Sequence, residues 1–124
     1  LLQQEQYKKN SMHELSIALS IVDLAEQQAR QNNASEIEEL ELEIGNLAGV
    51  ELQTLMFALE SSVKGTMLEN ARIVRHDVIG EGRCGDCEHI FPLSTFFEAC
   101  PQCGSYCINV LKGKELRVKS IVVK

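Results

Sequence analysis

Four cysteines fall in two tight pairs, Cys84-Gly-Asp-Cys87 and Cys100-Pro-Gln-Cys103, and that spacing is how a backbone presents four thiolates to one tetrahedral ion. Each C-x-x-C turn aims two sulfurs at a common point, and the twelve residues between the pairs allow a short β-excursion and return. Gly85 and Gly104 relieve the tight backbone around such a site. Zn²⁺, which accepts four thiolates without redox demand, is the ion the pattern suits best. Rubredoxin-type iron uses the same four-cysteine geometry and stays open on spacing alone. A thioredoxin-like redox motif would be a single pair beside a βαβ unit. A disulfide framework would call for an oxidising compartment, yet the leading residues are too polar for a secretory segment and the count of five cysteines is odd. Cys107 is expected to be a small, half-buried hydrophobe. His89 lies two residues after Cys87, but four thiolates already close the tetrahedron, so an outer role or plain exposure is expected.

A second set of donors sits near the start. His13 and Glu14 follow Met12 at the head of a helical pattern. An imidazole with deprotonated backbone nitrogens forms a planar set that suits Ni²⁺ or Cu²⁺ and not zinc. The competing account is a solvated pair, with Glu14 favoured by the helix dipole. His76, between Arg75 and Asp77, is taken as structural or surface.

These donors need a scaffold. From Glu14 to about Gln31, Leu15, Ala18, Leu19, Val22, Ala25 and Ala29 recur at helical spacing, with Ile17, Ile21 and Leu24 widening the face. Asn32-Asn33 ends that helix. Leu40, Leu42 and Ile44 then alternate with Glu39, Glu41 and Glu43, the pattern of a strand with one acidic face. A second helix carries Leu52, Leu55, Met56, Leu59 and Val63 on one stripe, with Gly65 as its stop. Strands are expected at about 71–80, 107–111 and 115–123, the last two joined by a hairpin at Lys112-Gly113-Lys114. The order implies an α+β fold: two helices packed on a small β-sheet, with an inserted four-cysteine zinc-ribbon domain. An α+β domain over 12–80 that carries the His13 donors, completed by a C-terminal strand at about 112–124, would enclose a zinc-binding domain at 81–111. Residues 1–11 are polar, lack an amphipathic repeat and end at Met12, so they are set aside as a tag or extension.

At 124 residues and a net charge of −6, the chain is unsuited to phosphate backbones. Residues 34–80 carry nine acidic and three basic side chains, while 107–124 carry five basic and one acidic, so the basic tail is expected to face solvent or pair with the acidic strand. A zinc-ribbon nucleic-acid or transcription module would want a basic, aromatic ribbon. Residues 81–106 instead hold four acidic residues and one arginine, and Phe91, Phe96 and Phe97 are assigned to a small ribbon core. No apolar run approaches a membrane span, and no nucleophile elbow, phosphate loop or paired carboxylates suggest an enzyme.

The combination Met12-His13-Glu14-Leu15-Ser16, Leu42-Glu43-Ile44-Gly45, Cys84-x-x-Cys87, Cys100-Pro-x-Cys103-Gly104-Ser105 and Gly113-Lys114-Glu115-Leu116 closely resembles the HypA (HybF) family of hydrogenase maturation nickel metallochaperones. The resemblance runs from Met12 to the C-terminus. It implies a cytoplasmic accessory protein, monomer or homodimer, that binds Ni²⁺ near its N-terminus and Zn²⁺ in the ribbon. Its implied partners are the GTPase HypB and the [NiFe]-hydrogenase large subunit, in some organisms urease as well, with no nucleic acid and no membrane. Carried over by residue, the nickel ligand is His13, with the backbone of Met12, His13 and Glu14 and the Glu14 side chain nearby. Zinc falls to Cys84, Cys87, Cys100 and Cys103. Glu51 matches an acidic position sometimes associated with nickel, although a charge in the first turn of the second helix explains it equally. One departure matters: Met12 is not the first residue here, so its nitrogen is an amide, and a coordination mode that uses a terminal amine would be altered.

Overall fold

The computed structural model describes residues 2–124, with side chains described from His13 onward. The elements run α1 (Leu2–Gln31), β1 (Ile37–Gly45), α2 (Leu52–Ser62), β2 (Arg72–Val78), β3 (Gly80–Cys84), β4 (Ile90–Leu93), β5 (Ile108–Lys112) and β6 (Leu116–Val123). Two three-stranded sheets form, in the orders β2-β1-β6 and β4-β3-β5. The chain divides into two compact units: residues 1–41, 50–74 and 118–124, and residues 42–49 and 75–117. Among the described residues no helix is long and apolar enough to cross a membrane.

In the first unit α1 packs on α2. α1 begins well before Glu14, because residues 2–11 contain no proline or glycine and are mostly good helix formers. Its buried stripe is Ala18, Ile21, Val22, Ala25 and Ala29, and small alanines let the two helices approach closely. Leu15, Leu19 and Leu24, expected on that face, are exposed; the stripe is rotated so that Glu14 faces inward instead. The helix stops as the asparagines suggest. Asn33 takes a left-handed φ of 57°, and the Ala34 N–H reaches back to the Ala29 carbonyl at 2.9 Å, which satisfies an end carbonyl. α2 buries Leu55, Ala58 and Leu59. The alternation in β1 holds, with Leu40, Leu42 and Ile44 buried. The intervening Glu39, Glu41 and Glu43 are half-buried; Glu39 meets Arg72, and in the second unit Glu43 accepts two bonds from the Arg117 guanidinium at 3.1 and 3.2 Å. Lys124 lies near Glu36 at 3.8 Å, so part of the basic tail does answer the acidic stretch.

The second unit is built on β3, which pairs antiparallel with β4 on one side and β5 on the other. Leu47, Cys84, Phe91, Leu93 and Cys100 form its core. Of the three aromatics assigned to that core only Phe91 is inside; Phe96 lies half out beneath the Lys114 ammonium and Phe97 is 87% exposed, because both fall in the loop between β4 and Cys100. The hairpin expected at Lys112-Gly113-Lys114 does not form. β5 pairs with β3 and β6 belongs to the other sheet, beside β1. Gly113 is instead a buried close-approach point at φ 116°, its carbonyl accepting the Leu47 N–H at 2.8 Å, and a Cβ on Gly45 would lie 1.9 Å from that carbonyl oxygen.

Candidate metal centres

The two cysteine pairs close on themselves in the same way. In the first, the Cys84 carbonyl accepts the Glu88 N–H at 2.9 Å; in the second, the Cys100 carbonyl accepts the Gly104 N–H at 2.8 Å. The N–H groups of Asp86 and Cys87 both point at Cys84 Sγ, 3.4 Å away, and turn donors toward a thiolate. The two loops bring all four sulfurs within 4.8 Å of one another, with Cys84 and Cys103 Sγ 3.5 Å apart and Cys87 and Cys100 Sγ 3.6 Å apart. A tetrahedral Zn²⁺ with bonds of about 2.3 Å has sulfur edges of about 3.8 Å, close to the two shortest separations, so the cage is of a size to take the ion.

Electrostatics agree with the geometry. The Cys87 amide, against burial and aided by the Asp86 amide, lowers the Cys84 thiol to about 7. At Cys103 the Ser105 amide favours the thiolate, but the crowding sulfurs of Cys84, Cys87 and Cys100 together with burial push it up to about 12. Like charges this close cannot all form in isolation. A cation among them reverses that logic, and its binding releases protons. Cys84 and Cys100 are buried while Cys103 is exposed. Bound Zn²⁺ would cross-link the two loops and, with four thiolates, keep no open coordination position.

Cys107 is not the half-buried hydrophobe expected: it is exposed, and its carbonyl accepts the Gly85 N–H at 2.7 Å. Just before β5, it contributes backbone to the first loop and leaves its thiol outside. His89 stacks on Phe91 with ring centroids 5.9 Å apart, while its carbonyl accepts the Cys84 N–H at 2.9 Å.

The N-terminal donors are arranged differently. His13 is exposed on α1, and Glu14 is buried. The Met12 side chain lies outside the described residues. Glu14 Oε1 accepts the Glu51 N–H at 3.3 Å, linking α1 to the residue before α2. The Glu51 carboxylate is occupied as the cap of α2, accepting from Thr54 N at 2.6 Å and Thr54 Oγ1 at 2.5 Å; those bonds to Thr54 hold its carboxyl below the ordinary range. Two structural roles were not read from the sequence: the inward turn of Glu14 and the bridge made by Asn46. Glu14 could have been found from its spacing to Ala18 and Ile21. Asn46, whose Oδ1 accepts the Gly80 N–H at 2.8 Å and whose Nδ2 donates to the Leu93 carbonyl at 3.0 Å, had no signal beyond a turn residue.

A small α+β protein with a four-thiolate cage and a histidine-bearing helix is, in class, a metal-handling protein. The family model described as "Hydrogenase/urease nickel incorporation, metallochaperone, hypA" matches residues 12–123, and the chain belongs to that family. It is 66% identical over 113 residues to the hydrogenase maturation factor HypA of Parabacteroides distasonis, covering 91% of this chain and 98% of the relative. It is 41% identical to that of Geobacter sulfurreducens, covering 91% and 100%. The solution structure of the Ni metallochaperone HypA from Helicobacter pylori is similar, with a TM-score of 0.63 and 26% identity over 89% of this chain and 96% of that one. A second solution structure of a HypA protein gives 0.66 and 28%, over 91% and 97%.

Proposed function

We propose that this protein is a carrier and not an enzyme: it takes up Ni²⁺ at His13 and delivers it during maturation of hydrogenase, while Zn²⁺ at Cys84, Cys87, Cys100 and Cys103 holds its second unit together. The observation that carries this is the family match, which begins at the tripeptide Met12-His13-Glu14 and runs through both cysteine pairs. The GTPase HypB and the hydrogenase large subunit are the partners, and the cytoplasm is the place of work. Urease is a second recipient within the scope of the family.

His13 supplies an exposed imidazole, and the adjoining amide nitrogens of His13 and Glu14, with that of Met12, complete a nitrogen set in which Ni²⁺ is favoured by geometry. Those amides lie within α1 (Leu2–Gln31), where a helical N–H donates to the carbonyl four residues back. Nickel uptake through them therefore opens the helix ahead of Glu14 and removes amide protons, so binding strengthens as pH rises. The test is a nickel titration followed by metal analysis, absorption and far-ultraviolet circular dichroism. One Ni²⁺ per chain, a small loss of helical signal and abolition by His13→Ala with unchanged zinc content are expected. Normal nickel binding by His13→Ala would sink the assignment.

A further inference from the structure

The buried face of α1 contains one residue foreign to a hydrophobic core. Ala18, Ile21, Val22, Ala25 and Ala29 repeat at three- and four-residue intervals, and the next position of that stripe toward the N-terminus is Glu14. Its side chain is 2% exposed and is the one buried charged group among the described residues. Oε1 accepts the Glu51 N–H at 3.3 Å, a long bond for a carboxylate. Oε2 has no hydrogen-bond partner among the described residues. Burying an ionisable group with so little compensation lowers stability, and a leucine would continue the stripe without that penalty.

We propose that the Glu14 side chain is a positioning residue for nickel and not a ligand. By accepting the Glu51 N–H it pins α1 at residue 14 to the start of α2, so that the helix ahead of it can open while the adjacent His13 imidazole stays in register with its amides. This rests on His13 being the nickel donor. Two observations favour positioning over ligation. His13 faces solvent while the Glu14 carboxylate faces inward, and the Glu51 carboxylate is itself turned onto Thr54. Glu14 thus reaches the backbone of α2, leaving the Glu51 side chain to cap that helix.

The test compares Glu14→Leu and Glu14→Gln in the full chain, with Ni²⁺ as the probe. Glu14→Leu should raise the melting temperature, weaken nickel binding by about tenfold, as losing an orienting partner does, and leave the absorption spectrum of the bound ion unchanged. Glu14→Gln keeps an acceptor oxygen and should recover most of the affinity, again with the same spectrum. The Glu51 amide proton, followed by NMR, should shift upfield in the leucine variant and hold its place in the glutamine one. Parental nickel affinity in Glu14→Leu, or an altered nickel spectrum in Glu14→Gln, overturns the proposal. If the leucine variant does not fold, Glu14→Met, which also lacks an acceptor, takes its place and is read by the same nickel affinity and Glu51 amide shift. Nickel bound normally after His13→Ala defeats the donor assignment and this proposal together, whereas a Glu51 amide indifferent to Glu14→Leu defeats the latch alone.

Discussion

Glu88 and Gly104 hold equivalent places in the two cysteine loops: each donates its N–H to the carbonyl of the cysteine four residues earlier, and each takes a left-handed backbone, φ 64° and 78°. The second loop has a glycine for this conformation; the first imposes it on a glutamate. Nothing lies within 4 Å of a Cβ built on Gly104, so Gly104→Ala would introduce backbone strain without a clash. The expected loss is about 1 kcal/mol, measured by denaturant unfolding of the zinc-loaded protein.

Removal of the metal should act on a larger scale. The core cluster around the cysteines is small, Leu47, Cys84, Phe91, Leu93 and Cys100 with a few partners, and ligation in such sites supplies on the order of 10 kcal/mol of folding free energy. Cys100→Ala should abolish zinc binding and deprotect amides between residues 81 and 106, while α1 and α2 stay protected. Hydrogen exchange that shows the ribbon still protected without metal would contradict this.

Acidification should loosen the start of α2. The Glu51 carboxyl is held below its ordinary 4.5 by the Thr54 side chain and amide. A carboxylate with a depressed folded pKa contributes stability that is fully present above the unfolded value and is lost as pH falls through the folded one. Carbon-13 titration of Glu51 should therefore show a midpoint below 4.5, moving up in Thr54→Val, which lacks the hydroxyl donor. An unchanged midpoint would mean that the cap does not persist in solution.

Asn46→Ala should be costly where Arg117→Ala is mild. The asparagine satisfies the Gly80 N–H and the Leu93 carbonyl, both on buried residues, and leaving both without partners costs about 1–3 kcal/mol. The Arg117 guanidinium is largely exposed beside Glu43, and such pairs contribute about 0–1 kcal/mol. Chemical denaturation of the two variants side by side would give the order, and equal losses would refute it.

Much of the fold was legible because its signals are local. The alternation of Leu40, Leu42 and Ile44 with glutamates, the Asn32-Asn33 stop, the stripe of α2 and the four cysteines each depend on a few neighbouring residues. The errors arose where burial is decided by what packs opposite. Leu15 and Leu19 satisfy helical spacing as well as Glu14 and Ile21 do, and only the line of approach of α2 chooses between overlapping stripes. Lys112-Gly113-Lys114 has the composition of a hairpin turn, yet its glycine is used for close contact with Gly45 and Gly80, and the flanking strands find partners elsewhere.

By itself, then, the sequence determined a four-thiolate metal cage, since thiolate count and C-x-x-C spacing dictate tetrahedral coordination wherever the two loops meet, and it determined the family through motifs spread from Met12 to Leu116. Tertiary structure alone decided that residues 42–49 join the unit of the cysteines, that β6 lies beside β1, and that Glu14 turns inward onto the Glu51 amide. Those outcomes depend on which surfaces distant in the chain exclude water from each other, and no short stretch of residues encodes that choice.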